Sequence, residues 1–268
     1  MKIALLIIAA IIFLAPLAIM VSGSFQPLKF VLAMPPRMIP WDATLENYIL
    51  LLKGTEVLRW LTNTMIVVAS TVCGAVCISA MAGYAFSVYS FRGSTILLGF
   101  LLSLIVIPAQ VLIIPTYVVI RHIGLRNTFA AASLPRILSV MGVMLFRAYI
   151  SHIPRDLIEA GRAEGAGEWR IMIRLIMPQC SPIIGLVALM YGIQSFQDYL
   201  WQLLVLQRTR MQTLIVGLVV HLRQLEITNN AMGMSLAMGV FMFAPLFCVY
   251  LATNKLFTRG LSLEGVRG

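Results

Sequence analysis

The chain has 268 residues, 60% of them hydrophobic and only 11% charged, and a formal net charge of +10. Soluble domains carry about 25% charged and about 45–50% apolar residues, so this composition is that of a membrane protein and excludes an ordinary soluble fold. The Lys and Arg residues lie in short segments between apolar runs and build no basic face, which sets nucleic acid aside as a partner.

A helix that crosses a bilayer needs about 20 predominantly apolar residues. Hydropathy predicts six such spans, at about residues 3–21, 61–89, 94–120, 129–150, 178–197 and 233–255, hence an all-α membrane protein with a single transmembrane domain over 1–268. The first run, opened by Lys2, looks like a signal peptide. It is longer than the usual apolar core of one and has no small-x-small site before a soluble domain, so it reads as a retained first helix. A polar connection with Pro35, Pro36 and Pro40 follows. Residues 62–90 and 233–254 contain no Asp, Glu, Lys or Arg at all, a pattern that lipid requires and a soluble core does not. Pro16, Pro108, Pro115 and Pro245 fall inside spans, where neighbouring helices re-satisfy the freed carbonyls.

Cys73, Cys77, Cys180 and Cys248 sit in or beside the spans. Cys73 and Cys77 share a helix face, but no His or carboxylate in that span completes a metal site. All four read as small buried hydrophobes, with no disulfide framework. Tyr84 and Gln110 are lone polar residues in the second and third spans, candidates for lining a pathway or for bridging helices. Gln194, Gln197 and Asp198 form a polar cluster at the end of the fifth span, which reads as an interfacial cap or as a pathway lining. His122, His152 and His221 have no Ser or Cys partner in a nucleophile context, and no Gly-x-x-x-x-Gly-Lys-Ser/Thr loop exists. The chain is therefore not expected to be an enzyme or to hydrolyse ATP.

An even number of spans puts both termini and the 151–177 loop on one side. The two sides carry ten Lys and Arg residues each, so charge bias leaves the orientation open, although the side of the termini packs its ten into fewer loop residues.

The 151–177 loop is the most informative segment. Ser151 is a candidate helix cap, and Pro154 suits a first turn, where no amide donor is lost. Asp156 and Glu159 complement the positive helix end. The helix is expected to reach about Glu164, where Gly165-Ala166-Gly167 stops it by permitting left-handed backbone. A second amphipathic helix runs from Glu168 to about Met177 and enters the next span at Pro178. Ala160, Gly161 and Ala163 leave the tip small-sided, open to close approach by a partner surface. From the residues alone the loop is a docking site, a helix lying on lipid or a solvated connection. Its four Arg alternate with four acidic residues, which argues against anionic lipid. Gly161-x-x-x-Gly165 lies in this charged loop and is not read as a membrane dimer motif.

This segment resembles the cytoplasmic loop of binding-protein-dependent ABC importer permeases. Their pattern is Glu-Ala-Ala, three residues, Gly, and Pro thirteen residues after that Gly, matched here by Glu159, Ala160, Gly165 and Pro178. Gly161 stands for the second Ala, which should loosen the helix by up to about 1 kcal/mol, and Met177 stands for the usual Leu. The likeness extends over about residues 20–268 and points to the carbohydrate branch, similar to the second membrane subunit of maltose-like transporters. It is carried by Pro35-Pro36-Arg37-Met38-Ile39-Pro40, Thr44-Leu45-Glu46-Asn47-Tyr48, Asn63-Thr64, Ile107-Pro108-Ala109-Gln110, Pro115-Thr116-Tyr117, Asp198-Tyr199-Leu200-Trp201 and the ending Arg259-Gly260-Leu261 through Gly265-Val266-Arg267-Gly268.

The resemblance implies a type I importer permease for a sugar or oligosaccharide, in a bacterial or archaeal cytoplasmic membrane. Relatives also carry glycerol phosphates and sugar acids. It places both termini and the 151–177 loop inside. It implies a homologous second permease, two copies of an ABC ATPase that hold ATP and Mg, and an extracytoplasmic solute-binding protein, with no cofactor in this chain. Asp156, Leu157, Glu159, Ala160, Gly161, Ala163, Glu164 and Gly165 would form the ATPase-coupling helix. The rival, a stand-alone secondary transporter or channel, would call for charges deep within spans, and the charge-free stretches at 62–90 and 233–254 argue against it.

Overall fold

The computed structural model describes residues 2–27, 41–225 and 231–262, and every regular element among them is a helix. The Pro35–Pro40 motif and residues 263–268 of the ending lie outside the described residues. The helices are α1 (Lys2–Ser24), α2 (Glu46–Gly54), α3 (Val57–Val88), α4 (Ser94–Val106), α5 (Ile113–His122), α6 (Phe129–Ile137), α7 (Val140–Ile150), α8 (Arg155–Ala163), α9 (Glu168–Ile171), α10 (Met177–Gln179), α11 (Ser181–Phe196), α12 (Tyr199–Val205), α13 (Leu214–Leu225) and α14 (Ala231–Ser262). Packing divides the chain into two compact units, Met1–Thr62 with Gln212–Asn254 and Asn63–Met211 with Lys255–Gly268.

In the first unit, small residues let long helices touch. A Cβ on Gly239 of α14 would lie 2.8 Å from the Met20 sulfur of α1, and one on Gly217 of α13 would lie 2.2 Å from the Trp60 indole. Close approach through glycine is the usual means of helix association where lipid removes the hydrophobic drive. The C-terminal end of α1 is held by polar bonds. The Asn47 amide donates to the Ser24 and Gln26 carbonyls, each at 3.0 Å, and the Ser24 and Tyr48 hydroxyls share a bond of 2.7 Å.

The second unit holds two buried apolar clusters and the loop at 151–177. Gly83 of α3 fits so tightly against α7 that an added Cβ would lie 2.5 Å from Phe146 Cβ and 2.9 Å from the Arg147 amide nitrogen. One turn further out, the space beside Gly142 is filled by the Ser79 and Ser139 hydroxyl oxygens, 2.4 and 2.5 Å from where a Cβ would stand.

Among the described residues, three helices are long and apolar enough to cross a membrane alone, namely Ile3–Ser24, Val57–Val88 and Met232–Leu251. Two bent pairs qualify jointly: Phe129–Ile137 with Val140–Ile150, bent by 47°, and Glu168–Gln179 with Ser181–Phe196, bent by 80°. The expected continuous span at 94–120 is two short helices, α4 and α5, separated by residues 107–112. The cause is local. Ile107 precedes Pro108 and takes an extended ψ of 117°, as residues before proline do, while Pro115 sits in the first turn of α5, where no donor is needed. None of the α4 residues is buried within the chain.

The 47° bend has an equally specific origin. Pro135 cannot donate to the Ala131 carbonyl four residues back, and that carbonyl accepts the Trp201 indole N–H at 3.1 Å instead. Ser139 then restarts the helix by accepting the Gly142 amide at 2.8 Å. Of the four cysteines only Cys180 is buried. Cys73, Cys77 and Cys248 lie on the outer surface of the chain, which corrects the expectation that all four are buried. An apolar environment around a thiol can be lipid as well as protein, and composition does not distinguish the two.

Candidate coupling loop and polar sites

The loop at 151–177 folds as a helix, a tight turn and a second helix. Pro154 occupies the N-cap of α8 with an extended ψ of 129°, and no side chain caps the helix. Ser151 instead closes α7, its hydroxyl donating to the Ala148 carbonyl at 2.7 Å, so its expected role as cap of α8 is corrected. The helix ends at Ala163, with Glu164 as C-cap and Gly165 at φ +77°. The Gly165 amide donates to the Arg162 carbonyl at 2.9 Å and the Ala166 amide to the Gly161 carbonyl at 3.0 Å. This pair of bonds is a Schellman closure, and the left-handed residue it demands is the reason for glycine.

Of the expected coupling residues, Asp156, Glu159, Ala160, Ala163, Glu164 and Gly165 are exposed and form one face, with Leu157 half-buried beside it. Gly161 lies on the opposite face, where a Cβ would come within 2.9 Å of Leu175 and 3.2 Å of Ile171. Its lack of a side chain lets α8 seat on the second helix. Ile158 joins Ile171, Ile176, Phe146 and Ile150 in one core, so the loop is packed onto the ends of α3 and α7.

The second helix contains a π-turn over Met172–Ile176, with the Met177 amide bonded to the Met172 carbonyl. Pro178 follows, and the direction changes by 80° before α11. A proline that takes one amide out of the ladder, next to a widened turn, explains the break.

Glu168 opens the second helix and is the electrostatic centre of the loop. One carboxylate oxygen accepts from Arg162 Nε at 2.7 Å, and the other accepts the Tyr84 hydroxyl at 2.9 Å. The Arg162 guanidinium, helped by the Tyr89 and Tyr84 hydroxyls, pulls the Glu168 carboxyl down to about 2. Tyr84 and Tyr89 pack edge to face, with ring centroids 6.0 Å apart. Tyr84, a candidate pathway residue by sequence, is thus 4% exposed and bound to the loop. A small groove beside α8 is lined by Ser87, Ser151, Arg155, Glu159 and Arg162 among others.

The other polar candidates do not assemble into one cluster. Gln110 is exposed in the turn between α4 and α5, and Gln194 and Gln197 are exposed at the end of α11. Asp198 turns instead to Arg136 of α6, with Arg136 Nε to Oδ2 at 2.6 Å and side chains 24% and 12% exposed. Below it, Gln202 is buried and donates to the Ser195 carbonyl at 2.6 Å, and the Ser195 and Thr71 hydroxyls lie 3.3 Å apart. Arg136, Arg162 and Glu168 were missed as functional partners. Arg136 offered a signal, since a cation inside an expected span demands a counter-charge.

The fold is shared with a chain in a solved structure, described as the crystal structure of a bacterial ABC transporter involved in the import of the acidic polysaccharide alginate. The TM-score is 0.82, with 95% of this chain and 94% of that one covered at 20% identity. The fold is all-helical, that of a type I ABC permease. The family described as binding-protein-dependent transport system inner membrane component matches residues 75–262, and the chain belongs to that family. It is similar to the arabinooligosaccharides transport system permease protein AraQ of Bacillus subtilis, 28% identical over 97% of this chain and 92% of the relative. It is also similar to the sn-glycerol-3-phosphate transport system permease protein UgpE of Brucella suis, 29% identical over 80% of this chain and 78% of the relative.

Proposed function

We propose that this chain is one of two membrane-spanning permeases in an ATP-driven importer for a sugar or oligosaccharide. The observation that carries this reading is the exposed face of α8, held out by a closed glycine turn in a chain of this family. Asp156, Glu159, Ala160, Ala163, Glu164 and Gly165 present that face to an ABC ATPase, two copies of which bind ATP and Mg on the cytoplasmic side. Six crossings form a single transmembrane domain, with 94–120 as a broken span and both termini inside. A homologous second permease completes the pathway, and a solute-binding protein docks outside. The exposed Gln110, Gln194 and Gln197 are candidates for the pathway lining.

The substrate class rests on the named transport systems of the relatives, which include arabinooligosaccharides and, as the second reading, sn-glycerol-3-phosphate. Purification of the chain from its native membrane should bring down an ATPase and a second permease, and vesicles of the complex should take up a sugar from a panel that includes both solutes. A chain that purifies alone and moves solute without ATP overturns the reading.

A further inference from the structure

We propose that the Glu168 carboxylate ties the coupling loop to the α3 span, so that a displacement of α8 is handed to α3 through Arg162, Glu168 and Tyr84. The inference rests on the reading of α8 as the ATPase-facing helix. Arg162 lies in the last turn of α8, and its 2.7 Å bond to Glu168 bridges the Schellman turn. The second carboxylate oxygen reaches α3 through the Tyr84 hydroxyl at 2.9 Å. Tyr84 is a stiff point of attachment, because its ring is buried and its neighbour Gly83 is jammed against the α7 backbone. One carboxylate therefore joins three elements with charge-assisted hydrogen bonds, which are about twice as strong as neutral ones. The apolar contacts beneath it, from Ile158 to Ile171 and Phe146, hold the elements together but are non-directional. The hydrogen-bonded link is directional and adds a restraint on the rotation of α8 relative to α3.

Tyr84→Phe removes one oxygen and leaves the packed ring, so it tests the link without a cavity. The experiment uses the complete complex in lipid, with its native ATPase and a fluorophore on Met81→Cys, a 39% exposed position on α3. Three readouts are taken for wild type, Tyr84→Phe, Glu168→Gln and the double variant: retained ATPase, ATP turnover, and the change in fluorescence on trapping with ATP and vanadate. The expected result is retained ATPase and turnover, with the fluorescence change at Met81 several-fold smaller in both single variants. That scale matches the loss of one hydrogen bond to a charged group, about tenfold in an equilibrium. The double variant should be no worse than Glu168→Gln, since the Tyr84 hydroxyl acts through the Glu168 carboxylate. An unchanged fluorescence response in either single variant, or additive losses in the double, overturns the tie. Loss of the ATPase from Glu168→Gln would assign Glu168 to the docking surface and also overturn it, while leaving the reading of the loop intact. A wild-type chain that holds no ATPase overturns that reading itself.

Discussion

Gly165 and Glu168 are the two residues on which the loop turns, and each makes a separable prediction. A Cβ on Gly165 would meet nothing within 4 Å, so the constraint there is the backbone alone at φ +77°. A non-glycine residue in that region costs about 1–2 kcal/mol, with Asn the mildest. Gly165→Asp should leave the chain inserted but reduce the ATPase that co-purifies, Gly165→Asn should do so less, and Glu159→Lys should weaken the same contact by charge reversal. Wild-type retention and uptake in Gly165→Asp and Glu159→Lys would return the loop to a solvated connection, where exposed substitutions lie within about 0.5 kcal/mol. Glu168 predicts a pH dependence. Its carboxyl falls from an ordinary 4.5 to about 2, so the stability it contributes is fully present above pH 4.5 and is lost as pH falls through about 2. A carbon-13 titration of the Glu168 carboxyl should show no midpoint near 4.5 in wild type, and Arg162→Gln should move the midpoint up toward that value.

At the scale of the element, the contact of α3 with α7 predicts opposite signs for two neighbouring substitutions. Gly83→Val must push aside Phe146 and the Arg147 backbone, and overpacking of this kind costs about 1–3 kcal/mol. The Ser79 hydroxyl is buried without a protein partner, so Ser79→Ala removes an unsatisfied group and should be neutral or stabilising by about 1 kcal/mol. Thermal unfolding in detergent reads both. A stabilised Gly83→Val, or a Ser79→Ala that unfolds several degrees lower, would contradict the packing described. The bend between α6 and α7 depends on two residues. Proline makes the break, and the indole of Trp201 makes it tolerable by occupying the freed carbonyl.

For the whole molecule, the proposed topology predicts what an impermeant thiol reagent can reach in intact cells. A cysteine near Thr55 should label from outside and one near Ala163 should not. Labelling of Ala163→Cys from outside would reverse the orientation. The companion site considered from sequence, near Thr228, lies outside the described residues. Because the chain has no phosphate loop, it should also show no ATP turnover by itself in lipid, and turnover by the isolated chain would sink the permease reading.

The sequence by itself determined the helical class, the apolar segments, and the loop with its left-handed stop at Gly165, because composition and a single backbone constraint act locally. The expected boundaries of α8, and of the second loop helix when its π-turn is included, lie within a few residues of those found. The tertiary structure alone decided which polar residues meet. Tyr84 and Glu168 are 84 positions apart, and Arg136 and Asp198 are 62 apart, so no local pattern couples either pair. It also decided that Gly161 is small for a neighbouring helix and that three cysteines face outward, since Cβ directions become contacts only when helices pack. Periodicity marks which residues share a face, and only packing assigns that face to protein, to lipid or to a partner.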